Sequence, residues 1–172
     1  ILISVPRIYE RVHGRLQAML GGSRLKSRML ECAEAIGWRR FCRRQGLPAD
    51  GHASKVLDEL AWLFLEHLVA RPLLAQFGGR LRVAVSGGAP LSQPIAHCFL
   101  GLGLPILQGY GMTETSPVVA ANAPDDNDPA TVGRPLHGVE VRIGDNLELL
   151  VRGPNVMRGY WKRDDDTRRA FI

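Results

Sequence analysis

One stretch near the middle of the chain restricts the fold more than any other. Leu81–Val85 is a short apolar run of the buried-strand type, and the glycine-rich turn Ser86–Ser92 closes it. Gln93–Leu102 has helical character, and Pro105–Gln108 is a second apolar run that ends in Gly109, Tyr110 and Gly111. Strand, turn, helix and strand in so few residues make a βαβ unit, which predicts two parallel strands joined by a right-handed crossover. Both glycine-rich loops then leave the carboxyl ends of neighbouring strands, where open α/β sheets bind ligands.

The flanks differ from this centre. Apolar residues recur at helical spacing in Pro6–Leu20 (Ile8, Val12, Leu16, Met19, Leu20), in Leu25–Phe41 (Met29, Ala33, Ile36, Gly37) and in Ser54–Ala70 (Val56, Leu57, Leu60, Leu63, Phe64, Leu68). Those are the faces expected to be buried. Arg39, Arg40, Arg43 and Arg44 fall at the end of the second helix, where cations suit the negative end of its dipole. Gly46–Gly51 reads as a loop. Downstream, Val139–Ile143 alternates apolar and polar residues, Gly144-Asp145-Asn146 is turn chemistry, and Leu147–Val151 returns, which predicts a β-hairpin. Asp164–Phe171 is helical in pattern. The expected class is α/β: a parallel βαβ sheet unit with flanking helices plus a small antiparallel β subdomain. Residues 1–120 would form the first part and residues 121–172 the start of a β-rich part.

Composition narrows the function classes. The chain is 45% hydrophobic and 23% charged, with a mean hydropathy of −0.05. Disorder, a collagen-like chain and a coiled coil are excluded on that basis. The uncharged stretch Val83–Thr113 has the length of a membrane span, but its six glycines, its prolines 90, 94 and 105, His97 and Gln108 argue against one. The net charge is 22 − 17 = +5, and it is uneven: residues 1–48 carry ten basic and three acidic side chains. A solvated helical face explains this most simply; a basic amphipathic surface lying on anionic lipid is the second reading. A nucleic-acid partner is not expected, because Phe41 alone interleaves with the arginines. Cys32, Cys42 and Cys98 form no CxxC and no disulfide pattern, which predicts a reducing, cytoplasmic setting.

The loop Gln108–Pro117 carries the most chemistry. Two glycines free the backbone for close approach of a flat ligand or a phosphate, Tyr110 offers a plane to a purine, Thr113 a hydroxyl to a phosphate oxygen, and Glu114 a carboxylate to Mg²⁺. A polar surface loop with a solvated Glu114 is the alternative, and the residues alone leave both open. His13, His52, His67, His97 and His137 show no ligand spacing and read as surface or helix-face residues; Cys98 reads as a small core residue. Asp125–Asp128 reads as a solvated loop and Asp164–Asp166 as an acidic helix start. Trp38, Trp62 and Trp161 read as packing residues.

Three segments in this order, SGGAPLS (Ser86–Ser92), QGYGMTETSP (Gln108–Pro117) and ELLVRGPNVMRGYW (Glu148–Trp161), resemble the acyl-adenylate-forming, AMP-binding superfamily. VPRIYERVHGRL (Val5–Leu16) and TVGRPLHGVEVRI (Thr131–Ile143) are similar to its long-chain fatty-acyl-CoA synthetase branch. The resemblance implies an acid–thiol ligase: a fatty-acid carboxylate attacks the α-phosphate of ATP to give acyl-AMP and pyrophosphate, and the thiol of coenzyme A then takes the acyl group. It implies ATP/AMP and Mg²⁺ as ligands, with fatty acid and coenzyme A as co-substrates. It also implies an adenine pocket lined by the backbone of Gly87, Gly88 and Ala89, with Gln108 at the adenine edge. Gly109 and Tyr110 would lie against its face, and Gly111 and Met112 would complete the set beside the acid tunnel. Thr113 would contact phosphate and Glu114 would bind Mg²⁺, these two being the catalytic residues. No protein nucleophile is implied, in keeping with a sequence that offers no Ser/His or Cys/His constellation.

The chain departs from the family pattern at Leu147, where a glycine usually precedes the Glu; a change in the turn is expected there. A Ser/Thr/Gly-rich phosphate loop would lie before Ile1. The TGD acidic residue for the ribose and a C-terminal lid domain with its catalytic lysine would lie beyond Ile172. The chain is therefore expected to be the middle of the large domain, inactive by itself. The alternatives are the same chemistry on a shorter or aromatic acid, and a non-catalytic scaffold, against which the intact Thr113–Glu114 pair argues.

Overall fold

A computed structural model describes residues 1–20, 22–49 and 54–171. Five strands, β1 (Leu2–Ser4), β2 (Ala84–Ser86), β3 (Ile106–Gly111), β4 (Val118–Ala121) and β5 (Arg134–Pro135), form one sheet in that order. β1, β2 and β3 run parallel, with Leu2 opposite Ala84 and Ala84 opposite Ile106. β4 and β5 return antiparallel. The βαβ unit is present, and α5 (Gln93–Gly101) carries the chain from β2 to β3. β3 runs on through Gly111 instead of ending at Gln108, because β4 lies alongside it with Ala121 opposite Gly109 and Ala120 opposite Tyr110. Leu2–Ser4, too short to show a period, joins as a strand through Val83, whose carbonyl accepts the Leu2 N–H at 3.0 Å.

Helices cover the sheet. On α1 (Pro6–Leu20) Pro6, Tyr9 and Leu16 are buried and Val12 packs half-buried on the core, as expected for Val12 and Leu16, while Ile8 is exposed and Tyr9 takes its place on the inner face. Tyr9 wins the place because its ring meets Phe99 edge to face at 6.0 Å and its hydroxyl donates to the Val85 carbonyl at 2.9 Å. The side chains of Met19 and Leu20, and residues 50–53 with His52, lie outside the described set. α2 (Arg24–Gln45) runs beyond Phe41 and ends at Gly46, whose φ of +69° is the left-handed helix stop that glycine adopts freely.

The third helix corrects the sequence reading more sharply. It runs as α3 (Lys55–Leu65), one π turn (Glu66–Ala70) and α4 (Arg71–Ala75). The apolar row Val56, Leu57, Leu60, Leu63, Phe64 and Leu68 faces outward, each more than half exposed. The inward residues are Asp58, Trp62, Val69 and Ala70. What turns the helix is charge: Asp58, 2% exposed, accepts from Arg39 at 2.6 Å and from Arg43 at 2.8 Å, and Arg40 pairs with Glu59 at 2.8 Å. Three of the arginines at the end of α2 are thus engaged by α3. Trp38 stacks on His97 at 3.7 Å, placing that histidine in the packing between α2 and α5.

β6 (Glu140–Ile143) and β7 (Leu149–Arg152) form a separate antiparallel hairpin. Its return strand starts at Leu149, since Leu147 lies in the turn with φ +60°. α6 (Asp164–Ala170) follows. Trp161, expected to pack, is 86% exposed, with the Lys162 ammonium over its ring at 5.8 Å. Among the described residues no helix is long and apolar enough to cross a membrane.

Candidate functional site

The two glycine-rich loops meet at the carboxyl ends of β2 and β3. At the end of β2, Ser86 is fully buried and Gly87 donates its N–H to the Ser4 carbonyl at 3.2 Å. Gly88 has φ +82°, a conformation a side chain would strain, so the loop turns there. On β3, Gly111 passes so close to the returning chain that a Cβ would sit 1.8 Å from the Pro117 carbonyl oxygen. The parallel pairing and this close approach bring the loops to opposite sides of a cavity of about 410 Å³.

Gly88, Ala89, Gln108, Gly109, Tyr110 and Gly111 line that cavity, as does a third wall, Pro129–Val132. Gly87, Met112, Thr113 and Glu114 stand beyond its lining, in the loop floor and along the turn that follows β3. Gln108 links the walls: its Oε1 accepts the Leu91 N–H at 3.0 Å and its Nε2 donates to the Pro129 carbonyl at 2.7 Å. Gln93 reaches the same carbonyl at 3.1 Å. Tyr110, the one aromatic ring in the lining, is 36% exposed.

The third wall was not visible in the sequence reading. Its anchors are Asn122, 5% exposed, whose Nδ2 donates to the Asp128 and Thr131 carbonyls at 3.2 and 3.0 Å, and Asn127, 3% exposed, whose Nδ2 donates to the Ile106 carbonyl at 3.1 Å. The segment Asp125–Asp128 is therefore not solvated throughout: Asn127 ties it to β3. Asparagines among acidic residues gave the only hint, as loop residues that hydrogen-bond backbone.

A single 3₁₀ turn, Thr113–Thr115, follows β3. Thr115, buried to 3% exposure, braces it: the hydroxyl donates to the Pro117 carbonyl at 2.8 Å and accepts from the Met112 N–H at 3.2 Å. This leaves Thr113 exposed and Glu114 part-exposed. The Glu114 carboxylate accepts the Tyr160 hydroxyl at 2.6 Å, and its main-chain carbonyl accepts the Met157 N–H at 2.8 Å. The Tyr160 hydroxyl, then a backbone hydrogen bond, hold the Glu114 carboxyl below the usual range, so it is ionised at neutral pH, while the Tyr160 phenol is raised in turn. Tyr160 belongs to the RGYW segment but attracted no role from sequence.

One further group of potential ligands exists among the described residues. His13, Glu34 and Cys98, on α1, α2 and α5, bring ligand atoms within 4.8 Å of one another. Cys98 is buried; desolvation and then the Glu34 carboxylate push its thiol far up. A protonated thiol donating to Glu34 accounts for the cluster without an ion.

Residues 1–161 match the family described as AMP-binding enzyme. The chain is 38% identical over 174 residues to a Mycobacterium bovis protein named long-chain-fatty-acid–CoA ligase FadD15, covering 99% of this chain and 28% of that one. It is 30% identical over 190 residues to long chain acyl-CoA synthetase 7, peroxisomal, of Arabidopsis thaliana, covering 99% and 25%. A solved malonyl-CoA ligase, in a ternary product complex with methylmalonyl-CoA and AMP bound, is 32% identical with a TM-score of 0.50, over 63% of this chain and 26% of that one. The chain thus spans about a quarter of the length of the relatives it matches. The two loops, their order and their place at the ends of parallel strands agree with that match: the chain belongs to the AMP-binding enzyme family.

Proposed function

We propose that the longer protein containing this chain is an ATP-dependent long-chain fatty-acid–CoA ligase, for which this segment supplies part of the nucleotide site. The observation that carries the reading is the convergence of Gly88–Ala89 and Gln108–Gly111 on one cavity at the carboxyl ends of β2 and β3. The 38% identity to a long-chain ligase over nearly the whole chain supports the substrate class. The cavity is of ligand-site size, with backbone-rich walls and one aromatic face.

In this reading Tyr110 lies against the adenine and the backbone of Gly88 and Ala89 lies along its edge, with Gly87 seating that turn on Ser4 and Gln108 fixing the spacing of the walls. Gly109 and Gly111, by letting β4 pack close on β3, hold the main chain that with Met112 would face the phosphates and the acid. Thr113 donates its hydroxyl to a phosphate oxygen. Glu114 suits a magnesium ion shared with ATP: it is ionised and part-exposed, its one side-chain partner is the Tyr160 hydroxyl at Oε1, and such ions take one or two carboxylates plus substrate phosphates. Mg²⁺ would offset charge building on the α-phosphate as the carboxylate attacks. The chain's own contribution is to hold the nucleotide in register with the acid and to hold the Glu114 carboxylate in place on its turn. Residues 1–120 would serve as the α/β portion and residues 121–172 as the start of the β-rich portion. The spacing of Cys32, Cys42 and Cys98, with no CxxC and no disulfide pattern, is the sequence feature that favours a reducing, cytoplasmic setting.

Carboxylate-dependent ATP–pyrophosphate exchange by the full-length protein tests the reading. Exchange that peaks with long-chain acids is expected. A peak with short or aromatic acids would keep adenylation and overturn the substrate. No exchange by folded protein that binds ATP would overturn the enzyme.

A further inference from the structure

A carboxylate that shares a metal ion with a nucleotide has to be aimed, and here one side chain outside the loop is placed to aim it. Glu114 sits on a single 3₁₀ turn and has no helix or strand of its own to fix its rotamer. Its Oε1 accepts the Tyr160 hydroxyl at 2.6 Å across 46 residues of sequence. The segment that delivers the hydroxyl is itself fixed. Met157 N–H donates to the Glu114 carbonyl at 2.8 Å, and Tyr160 N–H donates to Thr167 Oγ1 at 2.9 Å. The Thr167 hydroxyl donates in turn to the Arg163 carbonyl at 3.0 Å, so the first turn of α6 grips the backbone of Tyr160. Gly159 permits the approach, with φ +146° and a virtual Cβ only 2.7 Å from Thr167 Cγ2.

We propose that Tyr160 is a positioning residue that pins Oε1 of Glu114 and thereby presents Oε2 to the divalent cation accompanying ATP. The inference rests on the reading of Glu114 given above. A phenol suits the task because it brings one donor and no charge: it occupies one oxygen, leaves the carboxylate anionic and does not compete with the cation. Groups that hydrogen-bond a metal's ligands orient them and carry a large share of metal affinity. Without it a single backbone hydrogen bond would restrain the carboxylate, and more of its ordering would fall on metal binding. The contact also makes the ligand in the β3–β4 turn depend on α6, two elements with no strand pairing between them.

The test uses the full-length protein with Mn²⁺ as the probe, its binding read by electron paramagnetic resonance with a non-hydrolysable ATP analogue present. Metal-free binding of the analogue and the thermal midpoint are measured in parallel. Tyr160→Phe is expected to weaken Mn²⁺ about tenfold, leave metal-free nucleotide binding and the thermal midpoint unchanged, and raise the Mg²⁺ concentration for half-maximal exchange while leaving the rate at saturating Mg²⁺ close to wild type. Glu114→Gln is expected to weaken Mn²⁺ at least as much. Wild-type Mn²⁺ binding by Tyr160→Phe beside a defective Glu114→Gln would overturn the positioning role and spare the Glu114 reading. Wild-type Mn²⁺ binding by Glu114→Gln would overturn the Glu114 reading and this inference with it. A Tyr160→Phe defect that falls equally on metal-free nucleotide binding would make Tyr160 merely structural.

Discussion

Gly37 of α2 and Gly101 of α5 touch backbone to backbone: a Cβ on Gly37 would lie 1.7 Å from the Gly101 carbonyl oxygen, and one on Gly101 would lie 2.5 Å from that of Glu34. Nothing but hydrogen fits between the two helices. The contact matters for the site because α5 starts directly after the Ser86–Ser92 loop, so the seat of α5 on α2 sets where that loop stands. Gly37→Ala must push the helices apart or distort one of them, and it is expected to destabilise by about 3 kcal/mol. Gly14→Ala is the control, since that position is helical and open on all sides; it should be neutral or stabilising by up to about 1 kcal/mol. Hydrogen exchange in the full-length protein decides the matter: faster exchange across α5 in Gly37→Ala alone is the expected result.

Asp58 makes α3 depend on pH. Its carboxyl is held below the usual aspartate range, first by the Arg39 hydrogen bond and then by Arg43, against a desolvation cost that pulls the other way. A carboxyl lowered in the folded state stabilises fully above its unfolded value, near 3.8, and that contribution fades as pH falls through the folded value. Asp58→Asn should lose about 3 kcal/mol at neutral pH, because two guanidinium groups are left facing a neutral amide. It should also flatten the acid limb. A stability–pH profile of the variant that keeps the wild-type slope below pH 4 would show that some other carboxyl carries the acid response.

These two contacts mark where sequence reading succeeds and fails. The βαβ unit was legible because a buried parallel strand must be apolar throughout and its turn must be glycine-rich, so Ala84–Ser86 and Ile106–Gln108 announce themselves. The loops were legible because glycines and short hydroxyl residues have few other uses there. The inner face of α3 was not, since six large apolar residues outweighed one aspartate in any periodicity argument. Only the positions of Arg39 and Arg43 on a neighbouring helix reveal that Asp58 is the buried one. Tyr160 and the Pro129–Val132 wall were hidden for a related reason: their roles come from contacts across 46 and 21 residues, which no local pattern records.

Leu147 is a local misfit that can be relieved. It holds φ +60° in the hairpin turn, donates its N–H to the Gly144 carbonyl at 3.0 Å and leaves its side chain 86% exposed. A left-handed L residue costs roughly 1–2 kcal/mol, and an exposed side chain returns little in burial. Leu147→Gly should therefore stabilise the hairpin by about 0.5–1 kcal/mol after the larger chain entropy of glycine is set against the relieved strain. Leu147→Ala keeps the Cβ and should gain nothing. Slower amide exchange at Gly144 and Leu149 in the glycine variant alone would bear this out; equal behaviour of the two variants would place the strain elsewhere.

Gln108 joins two walls of the nucleotide cavity through opposite ends of one amide, to the Leu91 N–H and the Pro129 carbonyl. Gln108→Leu keeps the approximate size and removes both bonds, leaving a part-buried donor and an acceptor to be satisfied by water or by movement of the walls. An unmet pair of this kind costs about 1–3 kcal/mol, discounted here because the cavity is open to solvent. The walls are free to separate, since Pro129 keeps only the Gln93 bond on that side. The expected outcome is about a tenfold weaker affinity for ATP, in line with a loss near the lower end of that range. The dependence on divalent metal should stay as in wild type, because Glu114 and Tyr160 are untouched. Steady-state exchange at varied ATP and varied Mg²⁺ separates the two effects: a raised KM for ATP with an unchanged Mg²⁺ requirement assigns Gln108 to the shape of the cavity. A matching shift in both would mean that the walls and the Glu114 turn move as one body.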